Sequence, residues 1–312
     1  MSLVALTRAI SPAIARCELT HLSRVAIDLE RARVQHDGYE RALRALGCAV
    51  HRLPAGPEMP DAVFIEDVAI VVDGLAVITR PGAASRRVER EAVAQALAPY
   101  RPLAHIEAPG TLDGGDVLVI GRSIFIGISS RTNLAAVEQM RRLVDPVGYL
   151  VRGVRVTGCL HLKSAVTAAS DDVVLMNREW APAGAFANFD IVDVHPAEPG
   201  GANVVRAGHG VVYPTAFPRT RERLEARGFE VTGVDVSELA KAEGAVTCCS
   251  LIFPVDSRTG NPLGGTEIPQ TSRRAFDGSE TRTAASHSGD DCLPRRQGGA
   301  RCPGVVCELQ GK

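Results

Sequence analysis

The chain repeats one plan at a period near 45 residues, and few architectures can be built from such a repeat. From residue 64 onward each unit reads as an apolar strand, a tight turn, a second strand, a helix and a third strand. The first unit is FIEDVAIVV, a DG turn, LAVITR, the Ala-rich RRVEREAVAQALAPY and a short strand around AHIEA. Asp-Gly between apolar runs is the strongest short-range hairpin signal. GGDVLVI, a GRS turn, IFIGIS, NLAAVEQMRRLVD and YLVRGVRV repeat the plan. A third unit begins with HLKSAVTAA, a DD turn and VVLMN, and its continuation through REWAPAGAFANFDIVDV carries no clear period. The fourth is GANVVRAG, an HG turn, VVYPTA, PRTRERLEARG and FEVTGVDV. TCCSLIF opens a fifth unit with a single strand. The N-terminal stretch, IARCELTHLSRVAID with the helix ERARVQHDGYERALRAL and the strand CAVHRLP, supplies what that unit lacks. Five units closed in this way form a ring without exposed sheet edges.

Aligning the first strands places Asp67, Asp113, His161, Asn203 and Cys248 near corresponding positions, at steps of 46, 48, 42 and 45. In a closed ring such positions converge on the axis. A lone cysteine is ordinarily a small buried hydrophobe, and a lone histidine is ordinarily a hydrogen-bonded core residue. Their convergence with carboxylates is what singles them out. A thiol at Cys248, a proton shuttle at His161 and an orienting carboxylate at Asp113 make a generalised triad. Cys249 follows Cys248 directly, and on an extended strand the two point to opposite faces, so one belongs to the site and the other to the core. The carboxylates at Glu66 and Asp67 imply a cationic substrate, and a planar guanidinium is the cation a carboxylate grips in a bidentate fork. Glu66 lies among apolar neighbours, where an unpaired carboxylate is costly, so it needs a partner. Gly114 and Gly115 read as a turn or bulge. His21, in the loop THLS, suits a lid as well as an ordinary surface loop.

Composition narrows the partners. The chain has 312 residues, is 45% hydrophobic and 23% charged, and carries a formal net charge of -1. This is the balance of a soluble globular protein that can bury a sizeable core. No basic field points to nucleic acid, and no apolar run reaches membrane-spanning length. The N-terminus, MSLVALTRAISPAIARC, breaks its apolar residues with Arg8 and Pro12 and does not read as a signal peptide. Cysteines in apolar contexts then fit reduced thiols in a cytoplasm. The alternating pattern stops near Ser257. Residues 257–312, rich in Gly, Ser, Thr, Arg and Pro with one phenylalanine, read as a disordered tail after a single catalytic domain over 1–256. Cys292, Cys302 and Cys307 in that tail lack the paired spacing of a zinc site.

The pieces DAVFIED, ITRPGAASRR, TLDGGDVL, GISSRTN, LHLKS and TCCSLIF, in this order, resemble the dimethylarginine dimethylaminohydrolases of the guanidino-group-modifying superfamily. The resemblance runs from IARCEL to Asp256 and leaves the tail uncovered. An arginine deiminase would carry HxD where this chain reads HLK. The resemblance implies a five-bladed α/β propeller with a central active-site pit, in agreement with the repeat count. It implies Cys248 as nucleophile, His161 as general acid and base, and Asp113 as its acidic partner. Asp67 would hold the guanidinium, with Glu66 beside it fixing a loop or backbone. Asp61 and the carbonyls of Leu19 and Ala242 would meet the α-amino group, and Arg86 and Arg131 the α-carboxylate. The implied reaction hydrolyses a methylated arginine to citrulline and a methylamine through a covalent thiouronium, with no metal or organic cofactor, in a monomer or homodimer. An arginine or agmatine deiminase and a non-catalytic arginine-binding protein are the competing readings.

Overall fold

Fifteen strands form five three-stranded sheets in a computed structural model that describes residues 2–255. Asp256 and the expected tail, with Cys292, Cys302 and Cys307, lie outside the described residues. The opening strands are β1 (Ser2–Arg8) and β2 (Cys48–Leu53). One sheet joins β3 (Ala69–Val72), β4 (Leu75–Ile78) and β5 (Leu103–His105), and the next joins β6 (Val117–Ile120), β7 (Ser123–Ile128) and β8 (Leu150–Arg155). A third contains β9 (Val166–Ala168), β10 (Val173–Met176) and β11 (Asp190–Asp193). A fourth contains β12 (Val205–Ala207), β13 (Gly210–Pro214) and β14 (Val231–Val234). In each, the hairpin pair is antiparallel and the third strand returns parallel to the middle one. The last strand, β15 (Leu251–Val255), pairs antiparallel with β1, and β1 pairs parallel with β2. The two ends of the described chain therefore build one sheet on the common plan.

The first strands of all five sheets, β3, β6, β9, β12 and β15, line a single axial cavity of about 240 Å³. The architecture is a five-bladed α/β propeller, as the repeats predict. Helices Leu29–Ala45, Arg90–Leu97, Leu134–Val144 and Pro218–Glu225 make the crossovers of four blades. Asp28 and Asn133 cap two of them, each accepting the backbone N–H three residues on. The third repeat differs. Its segment holds only a single helical turn, Ala183–Phe186, whose Phe186 stacks on Phe125 at 4.7 Å and seals the blade.

Two expectations need correction. From the sequence each first strand is expected to run through the chemistry-bearing residues, but the turns Ile65–Val68 and Thr247–Cys249 hold Asp67 and Cys248, and Asp113 and His161 are the extended residues that open the turns Gly114–Asp116 and Leu162–Ala165. The strands begin after these turns, because the polar side chains there meet other turns across the axis rather than ladder partners. The reading also omits β1, a buried apolar run at the centre of its sheet. A strand covered on both faces loses the alternation by which strands are recognised.

Closure of the ring concentrates on Glu40, which is fully buried. Its carboxylate accepts from Thr7 Oγ1 on β1 at 2.6 Å, from Arg52 Nε on β2 at 2.7 Å and from Arg44 Nη2 at 3.0 Å. Burial alone would raise its pKa, but the hydrogen bonds from Arg52 and Thr7 bring it down to about 2. A folded pKa below the unfolded value of about 4.3 contributes stability above that value and loses it as pH falls toward 2. Glu40→Gln should cost about 1–3 kcal/mol at pH 7. Urea melts should show the gap to wild type narrowing between about pH 5 and pH 2, as protonation removes the same interaction from the parent.

Candidate active site

The turns that precede four of the five first strands bring Asp67, Asp113, His161 and Cys248 together at the axis. His161 opens the turn Leu162–Ala165, and its Nε2 lies 3.1 Å from Asp113 Oδ2. Asp113 Oδ1 accepts the Gly82 N–H at 2.8 Å, so both carboxylate oxygens are engaged. His161 Nδ1 stands 3.9 Å from Asp67 Oδ1, which accepts the Gly115 N–H at 2.9 Å. Burial opposes charge on the imidazole, yet Asp67 beside it and the hydrogen bond to Asp113 raise its pKa to about 9. The ring is a cation at neutral pH. Asp67, which burial alone would raise, is held at about 2 by Arg86 and by His161.

Cys248 and Cys249 separate as the sequence requires, though on a helical turn rather than a strand. Cys248 is half-buried on the pit wall, and its Sγ accepts the Ala245 N–H at 3.4 Å. Cys249 is fully buried in the apolar cluster with Tyr39 and Leu43. Burial, with Glu66 and Asp67 near by, pushes the Cys248 thiol up to about 12, so it rests protonated at neutral pH. The five described cysteines, Cys17, Cys48, Cys159, Cys248 and Cys249, are free.

Asp61, Asp67, Arg86, Arg131, His161, Ala242 and Cys248 line one narrow pit, with Asp113 behind His161. Arg131 hydrogen-bonds Thr20 Oγ1 at 2.9 Å and lies 3.8 Å from Asp113. Arg86 is not directed freely into the pit. Its guanidinium donates to Asp67 at 2.5 Å, to Glu89 at 2.9 and 3.2 Å, and to the carbonyls of Asp61 and Phe64. Glu66 points the other way, toward the axial cavity, where it pairs with Lys163 and accepts from Thr247 Oγ1 at 2.9 Å. Leu19 is partly buried against an apolar core cluster and is not among the residues that line the pit. Asp67, Asp113 and His161 present ligand atoms within 4.8 Å of one another, a spacing that can hold a metal ion, but Arg86, Gly82 and Gly115 already donate to these carboxylates.

A family model described as N,N dimethylarginine dimethylhydrolase, eukaryotic, matches residues 19–176. A relative named N(G),N(G)-dimethylarginine dimethylaminohydrolase from Streptomyces coelicolor is 40% identical over 249 residues, covering 79% of this chain and 95% of the relative. One of the same name from Pseudomonas aeruginosa is 36% identical over 228 residues, covering 72% and 90%. The chain belongs to the dimethylarginine dimethylaminohydrolase family. A solved member from Pseudomonas aeruginosa, a cysteine-to-serine mutant complexed with citrulline, superimposes with a TM-score of 0.77 at 32% identity, over 81% of this chain and 100% of that one. The N-terminal domain of ArgZ, at 18% identity and a TM-score of 0.71, shares the fold.

Several residues that hold this dimethylarginine dimethylaminohydrolase site together escape the sequence reading. Asp116, fully buried, accepts from Ser129 Oγ at 2.6 Å and from the Leu162 N–H at 2.9 Å, fixing the turn that carries His161. Asn203 appears in the repeat alignment without a role. It bonds the Thr247 N–H and hydroxyl, both at 3.0 Å, and so splints the turn bearing Cys248. Gly115 is more than a turn former. A Cβ there would lie 2.5 Å from His161 Nδ1 and 2.8 Å from Asp67 Oδ1.

Two outcomes follow from this geometry. The His161 ring protons should titrate by NMR with a midpoint near 9, and Asp113→Asn should lower it, because the partner that favours the cation loses its charge. Gly115→Ala should keep the far-ultraviolet dichroism of the parent while catalysis falls by about 100-fold or more, the usual cost of displacing a reacting group by about 1 Å.

Proposed function

We propose that this protein hydrolyses Nω,Nω-dimethyl-L-arginine, and the monomethyl compound, to L-citrulline and dimethylamine or methylamine through a thiouronium on Cys248. The observation that carries the reading is the convergence of Cys248, His161 and Asp67 on one acidic pit in a chain of this family. The citrulline complex of the Pseudomonas aeruginosa relative supports it. Asp67 holds the guanidinium, and Asp113 keeps His161 cationic and oriented. Glu66, tied to Lys163 and Thr247, fixes the floor on which Cys248 sits. Asp61 with the carbonyls of Leu19 and Ala242 receives the α-amino group. Arg131 receives the α-carboxylate, and Arg86, whose nitrogens are taken by Asp67, Glu89 and the carbonyls of Asp61 and Phe64, braces Asp67 rather than meeting that carboxylate.

The charges order the steps. A thiol with a pKa of about 12 is inert until a cation arrives. The bound guanidinium favours the thiolate, whose proton leaves to water, and makes its own carbon electrophilic. Sulfur attacks that carbon. The C–N bond breaks as His161 gives its proton to the departing dimethylamine, and the thiouronium remains. His161, now neutral, takes a proton from water as the oxygen attacks. The C–S bond then breaks, and citrulline leaves. All of this uses side chains of one chain, so a monomer or homodimer serves equally. Among the described residues no helix is long and apolar enough to cross a membrane. With five free thiols we assign the protein to the cytoplasm.

The decisive experiment follows citrulline and amine release from asymmetric dimethylarginine, with arginine in parallel and Cys248→Ser as control. Citrulline with dimethylamine, abolished in Cys248→Ser, is expected. Ammonia from arginine alone would make the protein a deiminase, and binding without turnover would make it a carrier. We also propose that residues 1–256 are the catalytic unit, since β15 closes the ring on β1. A protein ending at Asp256 should therefore keep wild-type kcat/KM; a folded but inactive truncation would refute this.

A further inference from the structure

The segment from Glu18 to Asp28 runs as a strap from the β1 side of the molecule to the helix Leu29–Ala45, and its first residue, Glu18, lines the pit. Its base is tied by ordinary means. Arg24 donates to the carbonyls of Ala15 and Cys17, both at 2.6 Å, and Glu238 accepts the Asp28 N–H at 2.9 Å. Its outer part has little apolar packing, since Leu22 and Val25 are 50% and 53% exposed. Arg131 donates to Thr20 Oγ1 at 2.9 Å and Ser85 to the Glu18 carboxylate at 2.5 Å, and two carboxylates hold the backbone of the tip. Asp61 accepts the Glu18 N–H at 3.1 and 3.2 Å. Glu243 accepts three successive N–H groups, from Thr20 at 3.0 Å, His21 at 2.5 Å and Leu22 at 2.6 Å. Successive amides aimed at one anion form the concave arrangement that binds carboxylates strongly.

Glu243 is also the one non-glycine residue with positive φ, at 59°, among the described residues. This conformation is unfavourable for any residue with a Cβ and free for glycine, and such strain gathers where a side chain is needed in a fixed place. Glu243 lines the pit itself, next to Ala242. The pit encloses only about 20 Å³, room for a water but far below the several hundred Å³ of an ordinary small-molecule site. Glu18 at the start of the strap and Glu243 both line this narrow space, which is smaller than an arginine derivative needs.

We propose that Glu243 is the latch of this strap: by holding Thr20, His21 and Leu22 while Asp61 holds Glu18, it fixes Leu19 between two anchored points and aims its carbonyl at the amino-acid end of the substrate. This rests on the proposed hydrolase reading, and it makes Glu243 a positioning residue rather than a catalytic one. Its carboxylate acts on the protein's own amides. Binding of the α-amino acid head and closure of the strap then become one event, because Asp61, Leu19 and Thr20, the last bonded to Arg131, all belong to the anchored set.

The test compares wild type, Glu243→Gly and Glu243→Gln. Glycine removes the carboxylate and relieves the φ of 59°, so the fold should be kept and the thermal midpoint should not fall. With dimethylarginine, KM should rise about tenfold or more in Glu243→Gly, as expected for lost charge-assisted hydrogen bonds, with kcat within about threefold. Glu243→Gln keeps one acceptor oxygen and should fall between. Two readouts do not need turnover. Amide hydrogen exchange at Thr20, His21 and Leu22 should speed up in Glu243→Gly, and iodoacetamide should label Cys248 faster through the loosened strap. Unchanged exchange and labelling overturn the latch. A raised KM with unchanged exchange overturns it too, in favour of direct contact between Glu243 and substrate. Absence of turnover in wild type would refute the hydrolase reading, while exchange and labelling would still decide the latch.

Discussion

Four carboxylates, Glu66, Asp67, Asp113 and Asp116, are buried around one axis, and the rest of the structure answers to that fact. An isolated buried carboxylate is too costly to stay ionised, so each needs hydrogen-bond donors or a cation. Asp113 takes the Gly82 N–H and His161, and Asp116 takes the Leu162 N–H and Ser129. Asp67 takes the Gly115 N–H and Arg86, and Glu66 takes Lys163 and Thr247. Backbone donors are free for this use only where no strand has begun. That is why a tight helical turn precedes four of the five first strands. It is also why Gly114 stands where it does: a Cβ there would fall 1.9 Å from the Glu66 carbonyl.

The same concentration of negative charge sets the resting protonation. It outweighs burial to raise His161 to about 9, and it adds to burial in pushing Cys248 up to about 12, a charged acid beside a neutral thiol. An isolated cysteine in this field would be an unreactive core residue. A bound guanidinium changes the balance because it adds a further cation beside the thiol, beyond Arg86 and His161. In the proposed reaction the acids select the substrate and the substrate activates Cys248, through one electrostatic interaction read in two directions.

The sequence shows the repeat because hairpin turns such as Asp73–Gly74 and Gly121–Arg122 lie between apolar runs that need a ladder, and the register of the repeats brings Asp67, Asp113, His161 and Cys248 to the axis. It hides β1, whose residues Val4, Ala5 and Leu6 are buried on both faces. It hides the partners as well. Lys163 lies two residues after His161 in LHLKS, and its target Glu66 lies 97 residues away. Gly115 matters through the space it leaves to His161, and Glu243 through three amides more than 220 residues distant. Residue types and spacing announce groups that do chemistry. They do not announce groups defined by what stands opposite them.

The two cysteines show how the levels join. Cys248 and Cys249 are adjacent and chemically identical, and only the turn Thr247–Cys249 distinguishes them. Asn203 pins that turn through both polar groups of Thr247, and Thr247 in turn donates to Glu66, so the turn cannot rotate without uncoupling a buried carboxylate. Tyr39 meets Ser250 at 2.6 Å on the far side and encloses Cys249 in the core. Rotating the turn to exchange the two sulfurs would strand Glu66, Asn203 and Tyr39 together. Which of the two sulfurs faces the pit is therefore decided by the buried polar groups around the turn.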